Sequence, residues 1–203
     1  MLTVRPALWL MPLDNLHMTV LEIAHSRTKE EIDGMVAAMS DHVPGIVNFI
    51  HDAEKEVVLE QPMVGYDDAA VALGFVPAAS ERGGEFDGAY TYHHLRRDIY
   101  DLCEKSGVEV ASRYVVPSAH LTIGRWVDQE AVKEGRVGRL VQSLEEVNEE
   151  LRTRYGGVGQ KNGRWTVGEE KGLVCRVGQV WYGGGESCAE GRPLEESSVQ
   201  KRK

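Results

Sequence analysis

Three observations predict an α+β protein with a largely antiparallel sheet and helices packed outside it. Short runs rich in β-branched residues recur along the 203-residue chain, a few helical periodicities are interleaved with them, and turn residues join many of the segments. Leu16–Ile23 (LHMTVLEI) reads as a strand behind the Asp14-Asn15 turn. Thr28-x-x-Glu31 has capping-box form, and Ile32, Met35, Val36 and Met39 follow at helical spacing. A second short helix is expected from Pro44 to His51. Val57–Gln61 and Ala69–Phe75 read as strands, joined by a turn from Pro62 to Asp68.

Ser80–Gly88 is a polar, Gly-rich loop, and Tyr92–Lys105 is a helix stopped by Gly107. Tyr114–Val116 and His120–Val127 read as strands around Pro117-Ser118. Val137–Leu151 carries Leu140, Val141, Leu144, Val147 and Leu151 on a helical stripe. Trp165–Val167 and Leu173–Tyr182 suggest a closing hairpin around Glu169–Gly172. Gly183-Gly184-Gly185 has neither the Lys-Ser/Thr nor the helix of a phosphate loop and reads as a linker. Residues 186–203 are polar and expected to form a disordered tail, leaving residues 1–185 as a single domain.

Composition sets bounds on function. Hydrophobic residues make up 42% and charged residues 27%, ordinary for a globular protein, and no apolar run is long enough to span a bilayer. Pro6 and Pro12 interrupt the apolar start, which lacks a small-residue cleavage site and is not read as a signal peptide. Three scattered cysteines with no CxxC pair suggest neither a zinc site nor a disulfide framework, and fit a reducing, intracellular compartment, cytoplasmic or nuclear. The net charge of −9 argues against a stable, sequence-blind nucleic-acid complex. It is uneven: residues 1–101 hold 7 Lys/Arg against 17 Asp/Glu, residues 102–203 hold 16 against 15, so a phosphate meets less repulsion on the C-terminal half.

One short pattern occurs twice, as Leu16-His17-Met18-Thr19-Val20 and Ala119-His120-Leu121-Thr122-Ile123, with the histidines 103 residues apart. On a strand, residues i and i+2 share a face, so His17 stands with Thr19 and His120 with Thr122, while the residues between them anchor the other face. Unperturbed histidine titrates near pKa ~6.5, so a pair of imidazoles can supply a base and an acid, help typically worth about 10²–10⁴-fold. The two hydroxyls would donate to phosphoryl oxygens. Strand parity sets Arg125 on the face opposite His120, reaching the same face only if the strand ends or bulges first. It sets Trp126 on the His120 face, where it could stack on a base. His25, His42, His51, His93 and His94 show no metal-ligand spacing and read as surface or capping residues.

These two segments, within the longer WLMPLDNLHMTVLEIAHS and SRYVVPSAHLTIGRW, resemble the duplicated His-x-Thr/Ser signature of the 2H phosphoesterase superfamily, in its fungal RNA ligase/cyclic nucleotide phosphodiesterase-like branch. The resemblance implies a bilobal fold of two pseudo-symmetric lobes facing a central cleft, one motif in each. It implies a hydrolase, a metal- and cofactor-independent phosphodiesterase that opens 2′,3′-cyclic phosphates of nucleotides or RNA 3′ ends. His17, Thr19, His120 and Thr122 are then catalytic, either histidine serving as base, with Arg125 and Trp126 as substrate-binding candidates. Only 16 residues precede His17, so the first lobe is expected to be short of an edge strand and a helix. The alternatives are a nucleotide- or phosphate-binding module without turnover, or an inactive shortened family member.

Overall fold

The computed structural model describes residues 8–78, 90–111, 119–127, 138–156 and 163–194. The expected loop at Ser80–Gly88, the strand Tyr114–Val116 and the last part of the expected tail lie outside those residues. The described chain mixes helix with antiparallel sheet, and none of its helices is long and apolar enough to cross a membrane. It divides into two compact units. Unit 1 comprises residues 1–19, 60–76 and 118–164, and unit 2 comprises 20–59, 77–117 and 165–203. Both His-x-Thr segments fall in unit 1, where the resemblance implied one in each lobe.

Unit 1 is built on strands β1 (Leu8–Leu10), β4 (Ala119–Trp126), β3 (Ala70–Pro77) and β2 (Val58–Tyr66), neighbours in that order. Asp67 makes the β2–β3 turn: its Oδ1 accepts from the amides of Ala69 at 2.8 Å and Ala70 at 2.7 Å. β2 runs on to Tyr66, through the expected turn at Pro62. Proline is tolerated there because Pro62 and Val64 point their backbone nitrogens to the same edge, and at Val64 that edge meets a side chain rather than a strand. The side chain is Asn148, on helix α5 (Gly138–Tyr155). Its Oδ1 accepts from the Val64 amide at 2.7 Å and its Nδ2 donates to the Val64 carbonyl at 2.8 Å. Asn148 is buried whereas Val147 is 41% exposed, so the inward stripe runs through Val141, Leu144, Asn148 and Leu151.

Unit 2 holds helices α1 (Lys29–Met39), α2 (Val43–Val47), α3 (Phe49–Asp52) and α4 (Tyr92–Lys105), with strands β5 (Trp165–Thr166), β6 (Val174–Val177) and β7 (Glu186–Glu190). The capping box forms as the sequence predicts: the Glu31 amide donates to Thr28 Oγ1 at 3.2 Å and the Thr28 amide to Glu31 Oε2 at 2.7 Å. The expected helix from Pro44 to His51 is instead two short ones, separated at Asn48. α4 buries Tyr92, Leu95, Ile99 and Cys103 at helical spacing and ends before Gly107, whose φ of +80° suits a glycine.

The C-terminal region departs most from expectation. β5 pairs with Val58 and Leu59, the first residues of β2 and themselves part of unit 2, and β6 pairs antiparallel with β7, so the hairpin around Glu169–Gly172 does not form. Gly178, Gly183 and Gly185, all at positive φ, turn the chain between β6 and β7. The three-glycine run therefore connects two strands rather than ending the ordered chain, and Glu186–Glu190, expected in the tail, is a strand.

Candidate functional site

β4 lies between β1 and β3. On the β3 side, Ala119, His120, Leu121 and Thr122 pair with Phe75, Gly74, Leu73 and Ala72; then Gly124 and Arg125 pair with Val71 and Ala70. Ile123 is the extra residue, a β-bulge, and it shifts the alternation of everything after it. Ala70, Ala72 and Gly74 share one face of β3, so their partners Arg125, Thr122 and His120 share that face too. The opposite face carries buried Val71, Ala119 and Gly124.

The bulge reverses both parity expectations. Arg125 stands on the face of His120 and Thr122. Trp126 stands on the other, across from Leu8, and its Nε1 donates to the Asp67 carbonyl at 2.8 Å. The sequence carried a signal for this in Gly124, since glycine inside a strand marks a bulge or a close backbone approach. A Cβ at Gly124 would come within 3.0 Å of the Trp9 carbonyl oxygen and 3.1 Å of Leu8 Cγ.

The first segment is not a strand. Leu16–Ile23 makes one isolated bridge, Met18 to Leu121. β1 runs antiparallel to β4, and the Met11 amide still reaches the Ile123 carbonyl at 3.0 Å. Pro12 then leads into a 3₁₀ turn, Leu13–Asn15, with Asn15 and Leu16 amides bonded back to Pro12 and Leu13, and the chain returns to β4 at Met18. β1 and Met18 thus flank one edge of β4. The bridge register sets His17 across from Thr122 and Thr19 across from His120. His17 Nδ1 lies 2.9 Å from the Asn15 carbonyl oxygen. A carbonyl only accepts, so Nδ1 is the donor in that contact and Nε2 is left to meet a ligand. His17 is half-buried, while His120 and Thr19 are exposed.

The ladder register therefore gathers His120, Thr122 and Arg125 on one face of β4, with Trp9 across from Arg125, and the bridge at Met18 brings His17 and Thr19 alongside that strand. Trp9 was not singled out from the sequence, because nothing local shows that β1 pairs there. The remaining described histidines lie in unit 2. His94 Nδ1 accepts from the Thr91 amide at 3.1 Å at the start of α4, and His51 Nδ1 lies 2.9 Å from Asp52 Oδ1. Burial, then Arg96 and His94, lower the pKa of His93.

No family model matches this chain, and no solved structure does. Among curated proteins it is similar to the Holliday junction branch migration complex subunit RuvA of Bacillus thuringiensis (strain Al Hakam), Bacillus cytotoxicus and Bacillus mycoides (strain KBAB4). Each is 25% identical over 139 residues, 68% of this chain and 65% of the relative. The match thus spans just under two thirds of those proteins. These findings overturn the expectation of a 2H phosphoesterase and, with it, of a metal-independent cyclic phosphodiesterase. The relatives carry the name of a branch migration subunit, and the short His-x-Thr signature brought no family model with it. A tripeptide repeated twice is a small pattern, and the first copy lacks the strand geometry on which the resemblance leaned.

Proposed function

We propose that this chain binds a nucleic-acid strand through one or two of its phosphates, on the β4 face of unit 1. The observation that carries the reading is the bulge at Ile123, which turns the Arg125 guanidinium onto the face of His120 and Thr122. A guanidinium offers paired donors to phosphoryl oxygens, and hydroxyls and imidazoles add single ones. Trp9, across from Arg125, supplies an aromatic surface on which a base can stack. The similarity to a Holliday junction branch migration complex subunit supports nucleic acid as the carrier of the phosphate. The net charge of −9 fits recognition of few phosphates, with micromolar or weaker affinity and a shallow salt dependence.

Fluorescence anisotropy with a labelled single strand, a duplex and a four-way junction tests this. Saturable binding is expected for at least one, about tenfold weaker in Arg125→Ala, matching about 1.4 kcal/mol for one charge-assisted contact. Trp126→Phe, on the other face, is expected to bind like the parent. A 2′,3′-cyclic nucleotide and an RNA ending in a 3′ phosphate, added as competitors, show whether a small phosphate or a strand terminus is preferred. Absence of saturable binding, or an Arg125→Ala protein that binds as well as the parent, would sink the proposal.

A further inference from the structure

The three cysteines are far apart in sequence, yet two of them meet on the β6–β7 hairpin of unit 2. Cys175 pairs with Ala189 and Arg176 with Ser187, leaving Cys188 as the extra residue of a bulge. The bulge lies directly beside the Cys175–Ala189 pair, so Cys188 is next to Cys175 across the ladder. The Cys188 thiol reaches the Cys175 carbonyl oxygen at 3.4 Å. Neighbouring antiparallel strands hold facing Cα atoms about 4.5–5.5 Å apart, inside the span a disulfide bridges.

We propose that Cys175 and Cys188 are a redox-modification site, closing to an intrachain disulfide when the protein meets a peroxide. Their surroundings assign the roles. Cys188 is exposed and Cys175 partly covered. Burial, then the neighbouring Cys188 thiol, then Cys103, push Cys175 up to about 12, so it remains a thiol at neutral pH. Cys188 therefore meets the oxidant first. Its sulfur attacks one peroxide oxygen, the O–O bond breaks, and water leaves, giving a sulfenic acid. The Cys175 sulfur then attacks that sulfur, its proton leaves with the hydroxyl as a second water, and the S–S bond forms. Two thiols and one hydrogen peroxide become one disulfide and two waters. Cys103 is fully buried on α4, with burial raising its pKa to about 11, and takes no part.

The intact chain is treated with hydrogen peroxide and analysed by mass spectrometry under non-reducing conditions. The expected product is a monomer lighter by two hydrogen atoms, restored by dithiothreitol. Trypsin cuts after Arg176, between the two cysteines, so the peptide ending at Arg176 should appear joined to the peptide carrying Cys188. Cys188→Ser, an exposed change, should lose this product altogether. Cys175→Ala should instead leave Cys188 as a sulfenic acid trapped by dimedone. A linkage through Cys103, dimers between chains in place of the internal bond, or the same product from Cys188→Ser would each overturn the assignment.

Discussion

The two His-x-Thr segments read almost alike and are built differently. Ala119-His120-Leu121-Thr122 belongs to a strand with partners along its length, β3 on one side and β1 with Met18 on the other. His17-Met18-Thr19 touches the sheet at one bridge, after a proline and a 3₁₀ turn have taken the chain out of the ladder and back. The chain leaves the ladder after the bond from the Met11 amide to Ile123, where Pro12 leads into the 3₁₀ turn Leu13–Asn15, so the strand does not run through. Local pattern supplied the same tripeptide twice, and flanking residues decided which copy became a strand. A short signature on a strand and the same signature on a loop are therefore weak grounds for one shared activity.

That contrast can be broken at Gly124, with the largest expected effect. Gly124→Val places methyls against the Trp9 carbonyl and Leu8, where a single Cβ is already tight. Urea titration should show a loss of about 3 kcal/mol, the upper range for overpacking. β1 should detach from β4, and the His17 segment should loosen with it. Stability equal to the parent would mean that β1 does not pack there.

Truncating the two bridge partners sharpens the contrast. Leu121 pairs with Leu73 in the ladder and also meets Met18, whereas Met18 has the bridge alone. Leu121→Ala is expected to cost about 2 kcal/mol and Met18→Ala about 1 kcal/mol or less, both sites being half-buried. Equal losses would show that the first segment is held as firmly as the second. Amide exchange followed residue by residue should find Leu121 protected at least about tenfold more than Met18, since ladder amides open less often than those of a single bridge. The smallest effect is expected from Trp126→Phe, which removes the exposed 2.8 Å bond to the Asp67 carbonyl and trims the indole to a phenyl, and should lower stability by about 0.5 kcal/mol in thermal melts.

Several elements are legible in the chain because their causes are local. The Thr28/Glu31 capping box, the α4 stripe with Gly107 beyond it, and the β-branched runs of β2, β3 and β4 need only neighbouring residues to be understood. Other features depend on distant partners. Asn148 reads as a polar interruption of a helical stripe until Val64 arrives to use both ends of its amide. Glu186–Glu190 reads as tail until β6 offers it an edge. The candidate site shows both kinds. His17, Thr19, His120 and Thr122 stand out by type and spacing, but Trp9 enters only through β1 pairing, and Arg125 and Trp126 exchange faces at a bulge.

By itself, then, the sequence determined the mixed α and β character, the capping box of α1, the buried stripe of α4 and its stop at Gly107, and the identity of the side chains available to meet a phosphate. Those follow from backbone preferences and hydrophobic periodicity, which act over a few residues. Only the tertiary structure decided which of those side chains share a face. Register is set by pairing between remote segments, and one extra residue in a ladder turns every later side chain to the other side of the sheet.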